Sequence, residues 1–402
     1  MKPVLAKYSI CTGCGVCAAS CNVGAITLDY DRNGHLMPVI NSDKCVKCGR
    51  CSKSCPVINE NRVKFNNPRD ICTYTAWSKN DDVCLNATSG GIFSQMAIDF
   101  LDQPNASVYG ALLTNKNTCN HIEINEKKDI YLITGTKYLQ SDASGVFPLI
   151  RQKLKKNEPC LFCGTPCQVA GLYSFLGNIN TEQLYTMELI CHGIPSKITT
   201  DIACKAHNAT HIVSYRDKKG GHKKGFSCTY ANAEGLNKKF ANDCFDKMFG
   251  ATHRQSCYQC RYARIERTAD LTIGDQWGLH NKYPQRKQLG SNLVMCNSEK
   301  GKKLLLSSNN IEKDQNPNIT LNAPTLFMPI KLGATSLTQS LYKLRNLPVR
   351  TQINILSNNW RKAPYLLPLA VLKRINRYIY EKQFKAKLAE VRNRLGWKKE
   401  QI

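Results

Sequence analysis

The sequence of 402 residues contains no apolar run of about 18 residues, the length that a membrane-spanning helix requires. Acidic side chains are also few, since 30 Asp and Glu stand against 56 Lys and Arg and leave a formal net charge of +26. The stretch before Cys11 lacks the apolar core of a secretory signal peptide, so we expect a cytoplasmic protein. The lack of a long apolar run excludes a membrane-spanning helix, while the positive charge suggests an anionic partner such as nucleic acid or a membrane surface.

Cysteine, by contrast, is abundant, with 21 residues in the chain. In a reducing cytoplasm we expect these thiols to serve as metal ligands rather than to form disulfides. Eight of them form two matching C-x2-C-x2-C-x3-C motifs, which begin at Cys11 and at Cys45. The spacing is typical of a bacterial ferredoxin module with two 4Fe-4S clusters. Gly15 and Gly49 take the same place in the two motifs and predict sharp backbone turns beneath the cluster sulfurs.

Each motif of such a ferredoxin supplies three ligands to its own cluster and one to the other cluster. We therefore assign the first cluster to Cys11, Cys14, Cys17 and Cys55. The second cluster takes Cys45, Cys48, Cys51 and Cys21. A pair of zinc knuckles is the alternative, because C-x2-C also suits tetrahedral zinc, but the two motifs contain no histidine. Two clusters in one small module favour electron transfer over a purely structural role.

Beyond a polar linker at residues 60–70, short apolar runs alternate with amphipathic stretches. The pattern predicts strands at 71–78, 107–114, 159–163 and 184–191, and helices at 91–102 and 145–156. A strand-rich part follows, with strands predicted at 212–216, 226–231, 269–275 and 291–297. After about residue 335 the segments show helical periodicity and carry many basic residues. The alternation indicates an α/β domain.

One segment of this domain has the composition of a phosphate seat. Ser89, Gly90 and Gly91 precede a predicted helix, and a capping side chain with free amides at a helix N-terminus binds anions. An ordinary capped glycine turn is the alternative interpretation.

Two further segments follow buried strands, at the strand ends where open α/β sheets bind ligands. Cys167 comes after the strand at 159–163, whereas Cys191 ends the strand at 184–191 and His192 follows it. An isolated C-x2-C motif at Cys257 and Cys260 needs partners, so the four cysteines are candidates for a third cluster or a zinc site. His192 is a candidate ligand or acid–base group, with capping of a strand end as the alternative.

Together these motifs resemble the coenzyme F420 hydrogenase/dehydrogenase beta-subunit family over about residues 1–335. The resemblance rests on the ferredoxin module and on motifs in order at 89–91, 136–141, 164–168, 191–196, 216–218, 257–260 and 274–278. It implies an FAD-containing domain with an additional cluster close to the flavin. The ligands implied for this third cluster are Cys167, Cys191, Cys257 and Cys260. Cys160 and Cys163 precede Cys167 and depart from the family pattern, which leaves open whether either replaces a ligand.

The resemblance also implies the flavin-binding residues. Those expected to line the phosphates and the ring system are Ser89, Gly90, Gly91, Lys137, Gly164, Thr165 and Asp275. Lys137 would stabilise the reduced, anionic flavin and is a candidate catalytic residue together with His192. A surface lysine at a turn is the alternative for Lys137, and Asp275 is equally suited to organising its turn. A basic loop that begins at Arg216 and Lys218 would bind an acidic substrate or form a solvated hairpin tip.

The expected fold class is therefore a mixed α+β or α/β chain. Its predicted parts are a two-cluster ferredoxin domain at 1–62, an α/β flavin-binding domain in two parts at 68–160 and 161–335 with a strand-rich second half, and a basic helical tail at 336–402. The tail holds fifteen lysine and arginine residues and three glutamates. It is suited to a partner protein or to peripheral contact with the inner face of an anionic membrane.

The sequence thus predicts an iron–sulfur flavoprotein oxidoreductase. It would transfer electrons between an electron-donor or acceptor protein and a small hydride carrier, by resemblance coenzyme F420. Three other interpretations are a reductase of cell-surface polysaccharide synthesis, a non-catalytic component that only transfers electrons, and a nucleic-acid-binding protein with structural clusters. The flavin and cluster motifs disfavour the nucleic-acid interpretation.

Overall fold

A computed structural model describes residues 3–67, 71–218, 227–241, 243–276, 282–286, 288–315, 346–357 and 367–395. The strands are β1 Ile26–Tyr30, β2 Leu36–Ile40, β3 Cys72–Ser78, β4 Ser107–Leu113, β5 Cys119–Ile124, β6 Ser141–Asp142, β7 Cys160–Gly164, β8 Leu184–Leu189, β9 His211–Ser214, β10 Ser227–Ala231, β11 Asn237–Ala241, β12 Leu271–Asp275, β13 Asn292–Cys296 and β14 Ile311–Gln315. The helices are α1 Val16–Ala19, α2 Arg50–Lys53, α3 Asp81–Asn86, α4 Ile92–Phe100, α5 Val146–Lys155, α6 Pro166–Leu176, α7 Lys197–Ala206, α8 Cys244–Phe249, α9 Glu299–Ser307, α10 Val349–Leu356 and α11 Leu367–Leu395.

The N-terminal module consists of two cysteine loops that each lead into a one-turn helix. Gly15 precedes α1 with a φ of 87°, and Gly49 precedes α2 with a φ of 73°. These left-handed values confirm the predicted turns, because side chains larger than hydrogen disfavour them. β1 and β2 form an antiparallel hairpin in which Ile26 pairs with Ile40.

The remaining strands form a large mixed sheet with the order β14-β3-β13-β12-β8-β7-β4-β5-β6. Its strands come from both predicted parts of the α/β domain. The pairs β4–β7, β7–β8 and β8–β12 are parallel, whereas β13 is antiparallel to both β12 and β3. The carboxyl ends of β3, β7, β8 and β12 therefore lie at one edge of the sheet, which we call the ligand edge.

The core explains why these segments became strands. All five residues of β7 are buried, because helices cover both faces of the sheet centre. On one face, Phe147 of α5 and Leu172 of α6 share a buried cluster with Cys14 and Val16 of the N-terminal module. The N-terminal module and the large sheet are therefore joined by a common apolar core.

A smaller sheet, β11-β10-β9, packs with α7, α8 and α10. His207 and His211, which are four positions apart in the sequence, do not share a helix face. His207 follows the end of α7, stacks on Phe240 at a centroid distance of 3.8 Å, and bonds to Asp243, whereas His211 begins β9. Asp243 fixes this arrangement because it also caps α8 by accepting a bond from the amide of Phe245.

The basic tail is helical where it is described. Leu388 and Val391 of α11 are buried against Leu293 and Met295 of the large sheet, so this end of the helix docks on the protein. Towards the other end of α11, Tyr378 is 60% exposed. Among the described residues, no helix combines the length and the apolar character needed to span a membrane.

Candidate functional site

The first cysteine group, which we call the proximal set, consists of Cys11, Cys14, Cys17 and Cys55. Cys11, Cys14 and Cys55 are buried. Burial, followed by the neighbouring thiols of Cys11 and Cys55, raises the pKa of Cys17 to about 12. Thiolates held this close repel one another, so the arrangement calls for a cation among them. The structure thus brings Cys55 of the second motif to the cysteines of the first.

The second group, the distal set, consists of Cys45, Cys48, Cys51 and Cys21. Burial raises the pKa of Cys51, and the thiol of Cys21 adds to the increase. Cys21 of the first motif therefore lies near the second motif, as the crossed ligation predicts. Cys48 is exposed, and its neighbour Val46 is 64% exposed. The distal set consequently lies at the molecular surface, whereas the proximal set is covered.

The third set consists of Cys167, Cys191, Cys257 and Cys260, which the fold brings together at the ligand edge. Thr165 starts α6 with a capping box that includes Gln168, and this places Cys167 in the first helical turn. Burial raises the pKa of Cys191 well above its usual value, and the thiols of Cys257, Cys167 and Cys260 raise it further. Cys191 follows β8, and the C-x2-C pair lies on and after a 3-10 turn at Gln255–Gln259.

The spacing within the cysteine sets differs from that of a zinc site. Zinc holds sulfurs at about 2.3 Å in a tetrahedron, which places them roughly 4 Å from one another. In the described part of the chain, the one group of three potential ligands with donor atoms within 4.8 Å is His207, Asp243 and Cys244. No three thiols of one cysteine set lie this close together in the described residues, so their positions do not match a preformed zinc tetrahedron.

An unpartnered hydroxyl lies between two of the sets. Tyr262 is 2% exposed, and its hydroxyl has no hydrogen-bond partner. Burial raises the pKa of Tyr262, and the thiols of Cys167 and Cys14 raise it further, so the ring lies close to both. Cluster sulfides accept hydrogen bonds, so a bound cluster would supply the partner that the buried O–H lacks. The residues of the third set therefore fit a 4Fe-4S cluster.

Cys160 and Cys163 occupy other positions on β7. Cys160 begins the strand, and burial raises its pKa to about 12 with a small opposing effect from Lys153. Burial likewise raises the pKa of Cys163 to about 12, and the nearby charge of Lys137 opposes that rise. These neighbours favour Cys167 over both as the ligand from this segment.

Polar and charged side chains follow the third set along the ligand edge. Arg216 donates to Asp275 at the end of β12, at 2.5 Å. Burial raises the pKa of Tyr138 to about 12, and Arg216 opposes the rise. Burial lowers the pKa of His192, and the charge of Asp275 opposes that shift. Two of the predicted residues, His192 and Asp275, are therefore neighbours, and Arg216 links Asp275 to the segment that carries Lys137.

Lys137 itself is partly buried, and this burial lowers its pKa to about 8 while the thiols of Cys119 and Cys163 oppose the shift. Its ammonium group donates to the carbonyl oxygen of Thr134 at 2.5 Å. Lys137 is therefore a partly buried loop residue whose ammonium group is held by the backbone. Gly164 and Thr165 lie at the end of β7 and at the start of α6, beside Cys163.

The predicted phosphate seat is built differently from the expectation. The residue that caps α4 is Gly91, which makes no side-chain cap bond, and Ser89 donates its hydroxyl to the carbonyl of Ser291 instead. A Cβ at Gly90 would lie 2.9 Å from the carbonyl oxygen of Ala76, so this glycine is required by packing between β3 and β13. The expected capping side chain is thus wrong, because the loop is held by the sheet rather than by the helix.

A buried lysine that follows β9 reaches this loop. Lys218 donates to the carbonyl oxygens of Ser89 and Leu289, each at 2.7 Å. Burial lowers its pKa to about 8, with the nearby thiol of Cys84 opposing the shift. The rest of the predicted basic loop, residues 219–226, lies outside the described residues, as do residues 277 and 278 of the last family motif.

Comparisons with known proteins agree with this layout. Residues 158–315 match the family model for the C terminus of the coenzyme F420 hydrogenase/dehydrogenase beta subunit, and residues 10–59 match the 4Fe-4S dicluster domain. The first range contains the third set and Asp275, and the second contains the proximal and distal sets. Ser89, Gly90, Gly91 and Lys137 lie outside both ranges.

Two curated relatives share parts of the chain. The F subunit of F(420)H(2) dehydrogenase from Methanosarcina mazei is 24% identical over 210 residues, which cover 48% of this chain and 56% of the relative. The iron–sulfur subunit of CoB–CoM heterodisulfide reductase from Methanocaldococcus jannaschii is 43% identical over 67 residues, which cover 13% of this chain and 10% of that protein. The chain thus spans about half the length of the first relative and a small part of the second.

Among solved structures, a chain of the F420-reducing [NiFe] hydrogenase complex from Methanosarcina barkeri superimposes with a TM-score of 0.44 and 14% identity, covering 75% of this chain and 93% of that one. The resemblance predicted from the sequence motifs rests on the two family matches and is confirmed by them. Residues 158–315 are thus similar to the C terminus of the coenzyme F420 hydrogenase/dehydrogenase beta subunit, and residues 10–59 to a 4Fe-4S dicluster domain.

Proposed function

We propose that the chain is an iron–sulfur flavoprotein that moves electrons between a protein partner and coenzyme F420 or a chemically similar hydride carrier. When bound, 4Fe-4S clusters carry single electrons and FAD exchanges a hydride, so together they join one-electron and two-electron chemistry. An oxidoreductase related to the F420 hydrogenase and dehydrogenase subunits is supported by the family matches. The three clusters, the FAD and the substrate are the finer parts of the proposal.

The contact between Cys14 and α6 carries the proposal. A Cβ at Gly171 would lie 3.2 Å from both Cβ and Sγ of Cys14, so the proximal loop touches the helix backbone. Gly171 lies one helical turn after Cys167, on the same face of α6. A ligand of the proximal set and a ligand of the third set thus face each other across one turn of helix. This is the proximity that electron transfer between two bound clusters needs.

The distal set supplies the entry point for a protein partner. Cys48 is exposed, and the loop around it carries exposed Lys44, Lys47 and Arg50. An acidic one-electron carrier would be attracted to these charges and would approach the distal set closely. We therefore propose the order distal set, proximal set, third set and flavin for electrons entering from a reduced partner.

The ligand edge supports the flavin site. The buried Lys218 places positive charge beside the loop at 89–91 and the partly buried Arg216 places it beside Asp275, which suits the pyrophosphate of FAD. Gln276 adds a buried side-chain amide that makes no hydrogen bond. Lys137 would hold positive charge near the ring system. The residues therefore fit an FAD, with the unpartnered amide available to a polar ligand.

Cofactor content of the anaerobically purified full chain tests the proposal. We expect about 12 iron atoms, as three 4Fe-4S clusters require, and one FAD per chain. Cys191→Ser should lose about four iron atoms and keep the rest. Cys204→Ser is the control, since this buried thiol bonds to Asn117 and lies outside the three sets. A wild-type chain with eight iron atoms and no FAD would refute both the third cluster and the FAD.

The hydride step provides a second test. After reduction of the clusters, oxidised coenzyme F420 should reoxidise the flavin, and Lys137→Ala should slow this step by roughly thirtyfold, or about 2 kcal/mol. The ammonium form exists below the lowered pKa of about 8, so the wild-type rate should fall as the pH rises through this value. Lys116→Ala, at an exposed turn, should have no effect. Turnover with another acceptor but not with F420 would refute the assignment of coenzyme F420 as the substrate.

A further inference from the structure

A buried arginine lies where the N-terminal module meets the large sheet. Arg254 is 2% exposed, and its Nη2 donates to the carbonyl oxygen of Leu36 at 2.6 Å. Its Nη1 donates to the carbonyl oxygen of Cys11 at 3.3 Å and contacts Sδ of Met37 at 3.2 Å. Every partner is neutral, and Nε has none. Within the described ranges, no carboxylate forms an ion pair with this guanidinium.

The other buried arginines of the fold are paired. Arg267 is also 2% exposed, and it binds Glu188. Arg286 is 7% exposed and lies 3.5 Å from Asp81, and the partly buried Arg216 binds Asp275 at 2.5 Å. A buried charge without a counter-charge is strongly destabilising. Arg254 therefore requires a negative charge that no described side chain provides.

The position of Arg254 identifies where that charge belongs. Its side chain lies beneath the proximal loop, so closely that a Cβ at Gly13 would be 2.7 Å from Nη2. Its own carbonyl oxygen accepts from the amide of Cys257 at 3.0 Å. Burial raises the pKa of Cys257 to about 12, and the charge of Arg254 opposes the rise. The guanidinium thus lies between the proximal set and the third set.

We propose that Arg254 is the counter-charge shared by the clusters of the proximal and third sets, and that it raises their reduction potentials above that of the distal set. Four thiolates leave a bound cluster negatively charged, and one-electron reduction adds a further negative charge. A fixed positive charge stabilises the reduced form more than the oxidised form, so it raises the potential. In the distal loop, the position of Gly13 is taken by Lys47, which is exposed and screened by water. The arrangement would favour inward electron flow.

This inference rests on the cluster assignment of the proposed function, and the test separates the two. Redox titration of the full anaerobic chain, followed by EPR, should resolve the potentials of the clusters, and iron content reports assembly. We expect Arg254→Met to retain its iron. The equilibrium constant for one-electron reduction of the proximal cluster should fall at least tenfold, which lowers its reduction potential by about 59 mV. The distal potential should not change. Arg254→Lys keeps the charge and should restore most of the difference.

Two further variants distinguish a lost charge from a damaged cluster. If Arg254→Met loses iron, Met37→Glu leaves the arginine in place and adds a carboxylate beside Nη1, which should lower the same potential. Arg261→Met is the matched control, because Arg261 donates to the carbonyl of Pro56 at 3.0 Å in the N-terminal module but pairs with Glu60. Full iron with unchanged potentials in Arg254→Met and Met37→Glu would overturn the role of Arg254. An equal shift in Arg254→Lys would also overturn it, since charge would not be the cause. Missing iron in the unmodified chain would instead refute the cluster assignment.

Discussion

The two cysteine loops share one backbone conformation but lie in different surroundings. Gly15 and Gly49 have φ values of 87° and 73°, and the residues two places earlier, Gly13 and Lys47, have φ values of 66° and 56°. Yet Cys14 is 6% exposed beneath α6, whereas Cys48 is exposed. The repeated motif therefore determines the shape of the loop, and the residues outside the motif determine what each loop faces.

The position shared by Gly13 and Lys47 shows where the loops diverge. A side chain at Gly13 would collide with Arg254, so the proximal loop needs glycine there. Nothing comparable covers Lys47 within the described residues, and it keeps a left-handed φ that costs a larger residue about 1 kcal/mol. The distal loop thus accepts local strain and presents a cation to solvent. We conclude that the proximal loop is adapted to contact within the chain and the distal loop to contact with a partner.

The largest expected effect comes from replacing a cluster ligand that the two loops share between them. Cys55 belongs to the second motif in sequence but lies with the first motif in space. Cys55→Ser should therefore disturb the proximal cluster, with loss of about four iron atoms and of the corresponding EPR signal. Cys72→Ser, a partly exposed thiol at the start of β3, serves as the control. Loss of the distal signal instead would show that each motif ligates its own cluster.

The next effect widens the contact between the proximal loop and α6. Gly171→Val places methyl groups against Cys14, where a Cβ alone would lie at 3.2 Å, and overpacking of this kind costs about 1–3 kcal/mol. We expect slower reduction of the third set and the flavin by the proximal set in stopped-flow experiments, with unchanged reduction of the distal set. Gly250→Val is the matched control, because its Cβ would meet open space. Equal rates in both variants would contradict the proposed path.

The sequence predicted the cysteine motifs and the strands but not the contacts between the N-terminal module and the large sheet. The predicted strand at 159–163 became β7 at Cys160–Gly164, because a continuous apolar run favours a fully buried strand. The proximal and distal sets were likewise predicted from motif spacing, whereas the third set was proposed from strand-end positions and the family resemblance. The positions of Gly171 and Arg254 gave no local signal, since their contacts with Cys14 and Cys11 join residues more than a hundred positions apart. Ser89 misled for a related reason, because its hydroxyl bonds to a distant strand.

A smaller effect concerns the exposed loop. Lys44→Glu combined with Lys47→Glu should lower the rate at which an acidic ferredoxin reduces the chain by about tenfold at low salt, and added salt should diminish the difference. Lys116→Glu is the control, since it makes the same kind of change at an exposed turn elsewhere. Reduction by dithionite, a small molecule that needs no protein docking, should be unaffected. A slower reaction with dithionite would indicate a damaged cluster rather than lost attraction.

The smallest expected effect sharpens the comparison on its buried side. Tyr262 lies close to Cys14 and Cys167 with an unpartnered hydroxyl, and a hydrogen bond to a cluster sulfur would stabilise the reduced state. Tyr262→Phe keeps the ring and removes about 1 kcal/mol of such stabilisation, so the potential of the affected cluster should fall by about 40 mV. The distal potential should stay constant, because the thiols that raise the pKa of Tyr262 are those of Cys167, Cys14 and Cys260, none of which belongs to the distal set. Tyr258→Phe is a useful companion, since this buried hydroxyl is also unpartnered but lies beside Cys257. In Tyr258→Phe, only the reduction potential of the third set should fall. In Tyr262→Phe, the potentials of both the third set and the proximal set should fall. This difference would distinguish the two buried cysteine sets from each other and from the exposed distal set.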